Sequence, residues 1–229
     1  FGISGSAHEW IASYLNNRSQ CVHANSTTSD SVTLKYGVPQ GSVLGPDFFS
    51  DYTSELSSII ASFGIRFHCY ADDTQLYIEF TPGLDESSVL AKLEQCIDEL
   101  RRWMFRNKLK FNESKTEFII LGTPSRLKKV TTTSLQVGSQ TVTPSSSVRN
   151  IGAYFDSSLR MDVQVRNTCK VAWLHLRNIG RIKSYLTEDQ LKSVLQAYVV
   201  SHMDYNNSLL AKSPDKLIAK LPLVQNAAA

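Results

Sequence analysis

Two adjacent carboxylates, Asp72 and Asp73, stand inside an otherwise apolar and aromatic stretch, Phe67-His68-Cys69-Tyr70-Ala71-Asp72-Asp73-Thr74-Gln75-Leu76-Tyr77. Neighbouring carboxylates repel each other and lose hydration in such a setting unless a cation or a set of donors sits between them and other acids. A hard divalent metal supplies a reason for the pair. Mg2+, or Mn2+ in its place, takes oxygen ligands, keeps several waters and is completed by substrate phosphates in phosphoryl transfer. Side chains alternate along an extended chain, so Asp72 and Asp73 cannot both point the same way, and a two-metal site needs a further acid from elsewhere. The competing explanation is that Asp merely suits a tight turn. Taken alone, the segment supports both.

A second stretch with special chemistry is Tyr36-Gly37-Val38-Pro39-Gln40-Gly41-Ser42-Val43-Leu44-Gly45-Pro46, where three Gly and two Pro allow backbone geometries closed to other residues. Among basic residues, Arg166, Lys170, Arg177, Arg181 and Lys183 fall within one amphipathic segment and suit contacts with a nucleic-acid backbone, the alternative being ordinary helix solvation. His68 has no metal-spaced partner and reads as a packed or partly exposed histidine. Trp10, Trp103 and Trp173 fall on apolar helical faces and read as core rather than as base-stacking platforms. No Ser/His/Asp triad and no phosphate-binding Gly-Lys loop is evident.

The elements that must position these residues follow from periodicity. Ser6-Ala7-His8-Glu9 has the form of a capping box opening a short helix, and Gln20 to Ala24 and Ser31 to Lys35 read as a hairpin around a polar turn. A helix is predicted from about Pro46 to Ser62, and strands at 65–70 and 74–80 flank the acidic turn. Leu90, Leu93, Ile97, Leu100 and Met104 mark an amphipathic helix, Phe118 to Leu121 a buried strand, and residues 134–142 a hairpin around Gly138-Ser139. From about Asp162 the chain is helical: Val165, Cys169, Trp173, Leu176 and Ile179 form one stripe, Thr187 to Gln190 a second capping box, and Ser213-Pro214 a third start. In the second of these helices Leu191, Val194, Leu195, Tyr198 and Val199 are expected inward.

Composition bounds the class. The chain has 229 residues, 42% of them hydrophobic and 20% charged, which excludes collagen, a disordered tail and a disulfide mini-protein. No apolar run approaches the ~18 to 20 residues of a membrane span, no targeting signal opens the chain, and four cysteines without a framework suit a reducing compartment. The expectation is a soluble, intracellular, nuclear or cytoplasmic chain. Charge is divided: residues 1–100 hold 4 Lys and Arg against 13 Asp and Glu, and residues 101–229 hold 20 against 8. Carboxylates for a cation followed by cations for phosphates is the balance expected of a metal-dependent enzyme on a polyanion, though an uneven solvated surface gives the same numbers.

The order of these segments has a precedent. Gly37-x-Pro39-Gln40-Gly41-Ser42, then Leu44-Gly45-Pro46, then Tyr70-Ala71-Asp72-Asp73, then Asn107-Lys108-Leu109-Lys110-Phe111-Asn112 leading into Lys115-Thr116-Glu117 resembles the reverse transcriptase domain of LINE-type (non-LTR) retrotransposons. The resemblance continues through Val148 to Gly152, Asp156 to Leu159, Ala197 to Val199, Asp204-Tyr205 and Leu223 to Ala229. It implies an α+β right-hand polymerase: a partial palm of antiparallel sheet and packed helices over 1–122, a Ser/Thr-rich connector and hairpin over 123–159, and a helical thumb over 160–229. It implies that Asp72 and Asp73 hold the metal, that Tyr70 and Ala71 lie beneath the primer end, and that Pro39, Gln40 and Gly41 shape the nucleotide and template pocket. Lys115 corresponds to a position that assists the departing pyrophosphate. The implied partners are an RNA template, a DNA primer and deoxynucleoside triphosphates.

The resemblance also places another metal-binding Asp and the fingers upstream of Phe1. This fragment is therefore expected to be inactive alone, its parent being an RNA-directed DNA polymerase. Asp47 and Asp51 stand where the family usually has apolar residues, a costly change if buried. The alternatives are a non-catalytic nucleic-acid-binding remnant or degenerate copy and, more remotely, a protein-interaction module built on the C-terminal helices.

Overall fold

The computed structural model describes residues 2–38 and 40–228. The chain forms two compact units, Phe1–Ile78 and Glu79–Ala229. Both mix helices with small antiparallel ladders, and among the described residues strands pair only in twos.

The first unit begins with α1 (Gly5–Leu15), which buries none of its residues. The Ser6 capping box does not form, because the helix has already begun at Gly5 and its N-cap, Ser4, makes no side-chain bond. Trp10 stacks on Tyr14 and Tyr14 lies tilted against Phe48, with ring centroids 5.8 and 5.7 Å apart, which ties α1 to the element that carries Phe48. The predicted hairpin forms as two ladders in line: β1 (Arg18–Gln20) pairs, three strands later in the chain, with β4 (Val32–Leu34), while β2 (His23–Ala24) pairs with β3 (Thr27–Thr28). The helix expected over 46–62 is broken into α2 (Gly45–Thr53) and α3 (Glu55–Ser62). Hydroxyls supply the reason. Thr53 Oγ1 donates to the Phe49 carbonyl at 2.8 Å and Ser54 Oγ to that of Asp51 at 2.7 Å, competing with the helical ladder at the break. Leu56 and Ile60 of α3 are buried, and the helix packs against β5 (Arg66–Tyr70), which pairs with β6 (Asp73–Tyr77).

The second unit is built on α4 (Glu86–Arg106), whose Leu93, Cys96, Ile97, Leu100 and Trp103 are buried at helical spacing. After the short α5 (Pro124–Leu127) comes the predicted hairpin, β7 (Leu135–Val137) with β8 (Gln140–Val142), and its Leu135 and Val137 are buried where β7 packs on α4. Gly138 turns it at φ +60°, and an added Cβ there would collide with the Arg101 guanidinium and the Glu113 carboxylate, which are ion-paired. No strand forms over 118–121. That segment makes isolated backbone bonds, the Phe118 carbonyl accepting from Ser145 at 2.7 Å and Gly122 donating to Ser157 at 2.9 Å, with no ladder partner alongside.

A last hairpin, β9 (Ser147–Asn150) with β10 (Ala153–Asp156), leads to α6 (Asp162–Ile182). Val165, Thr168, Ala172 and Ile179 are the buried stripe of α6. Two apolar clusters close over it, one of Ala172, Ile179, Val199, Met203 and Val224, the other of Met161, Val165, Leu210 and Leu217. They draw on α7 (Glu188–Leu195), a π-helical turn at Gln196–Val200, α8 (Ser201–Asp204), α9 (Asp215–Ile218) and α10 (Lys220–Ala228). The Thr187 capping box forms in full, with Thr187 and Gln190 each accepting from the other's amide. The π turn follows α7 directly, and Tyr198, expected inward, is 56% exposed. Pro214, rather than Ser213, is the residue that precedes α9.

Candidate functional site

Asp72 is at the tip of the β5–β6 hairpin. Tyr70 and Asp73 are the last cross-strand pair, so Ala71 and Asp72 form a two-residue loop, with Ala71 at φ +52°. Asp72, Asp73 and Tyr70 are all exposed, and no ion pair or hydrogen bond engages either carboxylate among the described residues. Exposure answers the question the sequence raised, because a solvated pair escapes the cost of losing its hydration. The tip therefore offers carboxylate oxygens that no Lys or Arg occupies. As donors they suit a hard cation. Among the described residues no group of three or more His, Cys, Asp or Glu comes together as a metal cage, so the pair fits Mg2+ in donor chemistry and is not a complete protein-ligand set. His68 is exposed on β5 and belongs to no such group.

The glycine loop precedes α2. Gly37 and Gly41 both have φ of +82°, with nothing among the described residues within 4 Å of where a Cβ would stand, so both positions are strained for any other residue and, among those residues, open. Gln40 is exposed, while Pro39 lies outside the described residues. No local pattern pointed to Arg18's part here. Its guanidinium donates to the Gly37 carbonyl at 2.5 Å and its Nε to that of Leu15 at 2.9 Å, anchoring the entrance of the loop across nineteen residues. Asp47 and Asp51 of α2 are exposed, so the cost of burying a charge does not arise.

Lys115 is exposed on a 3₁₀ turn, Glu113–Lys115, of the second unit. In the same turn the Glu113 carboxyl is held below its usual range by the Ser139 hydroxyl and by Arg101. Arg166, Lys170, Arg177 and Arg181 are exposed on α6, with Lys183 exposed just beyond it, and none has an ion-pair partner among the described residues. Trp103 is buried as expected, but Trp10 and Trp173 are 54% and 46% exposed. The reason at Trp173 is one residue of phase: Ala172 occupies the buried stripe and turns its neighbour outward.

Two groups that sequence reasoning missed hold the second unit together. Glu86 is buried, and its Oε1 accepts from the amides of Thr131 and Thr132 and from the Thr132 hydroxyl, while Oε2 accepts from Gly83. The Thr132 hydroxyl above all, and then the three amides, hold its pKa below the usual carboxylate range. Tyr205 donates its hydroxyl to the Ile151 carbonyl at 2.7 Å beside Gly152, whose added Cβ would lie 2.9 Å from the Tyr205 ring. The Val148–Gly152 and Asp204-Tyr205 segments, separate in sequence, are thus one contact.

The family model described as "Reverse transcriptase (RNA-dependent DNA polymerase)" matches residues 1–155. The chain is 26% identical over 118 residues to the RNA-directed DNA polymerase from mobile element jockey of Drosophila funebris, an alignment that covers 49% of this chain and 13% of that protein. No solved structure matches. With the acidic tip open, the glycine loop before α2 and the family match over the region that holds both, the chain belongs to the reverse transcriptase family, as a domain of the LINE type.

Proposed function

We propose that this chain is palm and thumb of an RNA-directed DNA polymerase, with 1–122 contributing palm, 123–159 connecting and 160–229 forming the thumb. The observation that carries the reading is the open acidic tip, a hairpin whose two carboxylates are left free where a structural turn would have tied them to donors. Asp72 and Asp73 would hold Mg2+, which when bound lowers the pKa of the primer 3′-hydroxyl and stabilises charge on the leaving pyrophosphate. The chain's own residues do the positioning. Gly41 lets the backbone approach a nucleotide that Gln40 and Pro39 flank, Tyr70 and Ala71 support the primer end, and Lys115 offers a point charge to the departing phosphates. Arg166, Lys170, Arg177, Arg181 and Lys183 grip the strand through its phosphates. Template RNA, primer DNA and deoxynucleoside triphosphates are the substrates this arrangement serves.

Two acids do not make a two-metal site, so this chain alone is expected to bind primer–template without extending it. A second reading, a nucleic-acid-binding protein with no catalysis in any context, draws on the same unpaired cations of α6. One experiment separates the two. The segment that precedes the matched region in the jockey polymerase is fused ahead of residue 1, and primer extension on RNA is assayed in Mg2+. Extension by the fusion that disappears with Asp72→Ala supports the polymerase. Binding with no extension, unchanged by Asp72→Ala, supports the binding protein and overturns the first reading.

A further inference from the structure

Resting on the reading of α6 as a nucleic-acid contact, we infer that Trp173 is a base-stacking platform for an unpaired nucleotide, set between cations that hold the flanking phosphates. At about 100° per residue, Arg166, Lys170, Trp173, Arg177 and Arg181 fall within an arc of about 80° on the helix. All five are exposed, and the buried stripe of Val165, Thr168, Ala172 and Ile179 lies on the other side. The exposed stripe runs about 22 Å along the axis at 1.5 Å per residue, long enough to follow several nucleotides.

Charge selects the occupant. From Val163 to Thr187 there is no Asp or Glu, and none of the four cations on the stripe is ion-paired among the described residues. A row of unneutralised cations repels itself and is relieved by a polyanion. An indole half in solvent stands in the middle of that row, while the core position beside it is filled by Ala172. Cations tracking a backbone with an aromatic face between them is the arrangement that binds single strands without sequence preference. A base can reach the indole face only if it is unstacked from its neighbours, which commits the site to a single-stranded segment and not to the interior of a duplex.

The test measures binding of a fluorescent oligothymidylate by anisotropy, and indole quenching in a Trp10→Phe background, which removes the other exposed tryptophan. An abasic strand of equal length keeps the phosphates and deletes the stacking partner. Trp173→Leu should weaken binding about ten-fold and Trp173→Phe by much less. The abasic strand should bind the unmodified chain about as weakly as oligothymidylate binds Trp173→Leu, without quenching. Arg177→Gln should instead flatten the dependence of log affinity on log salt by about 0.7. If Arg177→Gln and Lys170→Gln weaken binding while Trp173→Leu and the abasic strand leave it unchanged, the stacking role is overturned and the nucleic-acid reading of α6 survives. No binding by the unmodified chain at any salt concentration overturns both. Thermal melts of each variant show that it is folded, and the abasic strand tests the inference with no substitution at position 173.

Discussion

Residues 1–78 and 79–229 divide the labour of burial unequally. Among the described residues of the first unit only Gly45, Leu56, Ile60 and Ile65 are buried, against twenty in the second. The first is held by short ladders between near neighbours, the second by long helices with non-local segments packed along one face. The candidate metal ligands stand on the thin unit and the candidate phosphate ligands on the packed one. Physical chemistry accounts for both placements. A carboxylate at a hairpin tip stays hydrated at no cost, but a two-stranded ladder has little apolar area to hold it still. A helix anchored along one face in two apolar clusters can leave the opposite face lined with cations, because packing rather than surface charge secures it.

The sharpest way to break this contrast is to remove apolar volume from each unit. Leu100→Ala, in the buried stripe of α4, should cost about 2 to 5 kcal/mol in urea denaturation, while Val32→Ala, 60% exposed on β4, should stay within about 0.5 kcal/mol. Similar losses at the two sites would erase the distinction. Next in size is Gly138→Ala, expected to cost about 2 kcal/mol or more by thermal unfolding. A left-handed alanine accounts for about 1 to 2 kcal/mol of this, and displacement of the Arg101–Glu113 pair adds to it. Ala71 is the converse case in the thin unit. It already sits at φ +52°, so Ala71→Gly should be neutral or stabilise the hairpin by up to about 1 kcal/mol.

These positions show what was legible beforehand. Apolar repeats gave α4 and α6, turn residues gave the hairpins at 71–72 and 138–139, and Thr187 with Gln190 gave a cap that forms in full. All depend on residues within a few positions of one another. The strand expected at 118–121 failed because a ladder needs a partner that local sequence does not specify, and the helix expected over 46–62 broke where Thr53 and Ser54 bond back to carbonyls. At the site, Asp72 and Asp73 were legible as a pair out of keeping with their surroundings. Arg18 under Gly37 and Glu86 under Thr132 were not, since each joins residues far apart in the chain. Trp173 was misread because an apolar repeat that passes through 172 and 173 cannot say which of the two faces inward.

Acid sharpens the contrast further. The folded state holds the Glu86 pKa below its usual range, so its contribution is present above that range and is lost as pH falls through the depressed folded value. Glu86→Gln should cost about 1.5 to 3 kcal/mol near neutral pH and flatten that acid limb. His202 acts in the same direction at higher pH. Burial first, and then His175 beside it, lower its pKa, and its Nε2 is buried without a partner among the described residues. Below about pH 6.5 the unfolded chain therefore takes up the proton more readily, and the second unit should lose stability from there downward. His202→Gln should remove that slope, as read from denaturation midpoints between pH 7 and 5. An effect as small as that of Val32→Ala, within about 0.5 kcal/mol, is expected at Asp51→Ala, since the side chain is exposed and, among the described residues, unpaired.

The central claim is that the hairpin tip at Asp72 and Asp73 receives a divalent cation. Mn2+ titrated into isotope-labelled protein and followed by paramagnetic broadening of backbone amides tests it without requiring catalysis. The account predicts that amides of β5 and β6 around residues 70–73 broaden first, that Mg2+ competes the effect away, and that Asp72→Asn with Asp73→Asn abolishes it. Broadening that begins at other carboxylates, with the 70–73 amides unaffected or indifferent to the double substitution, would contradict it.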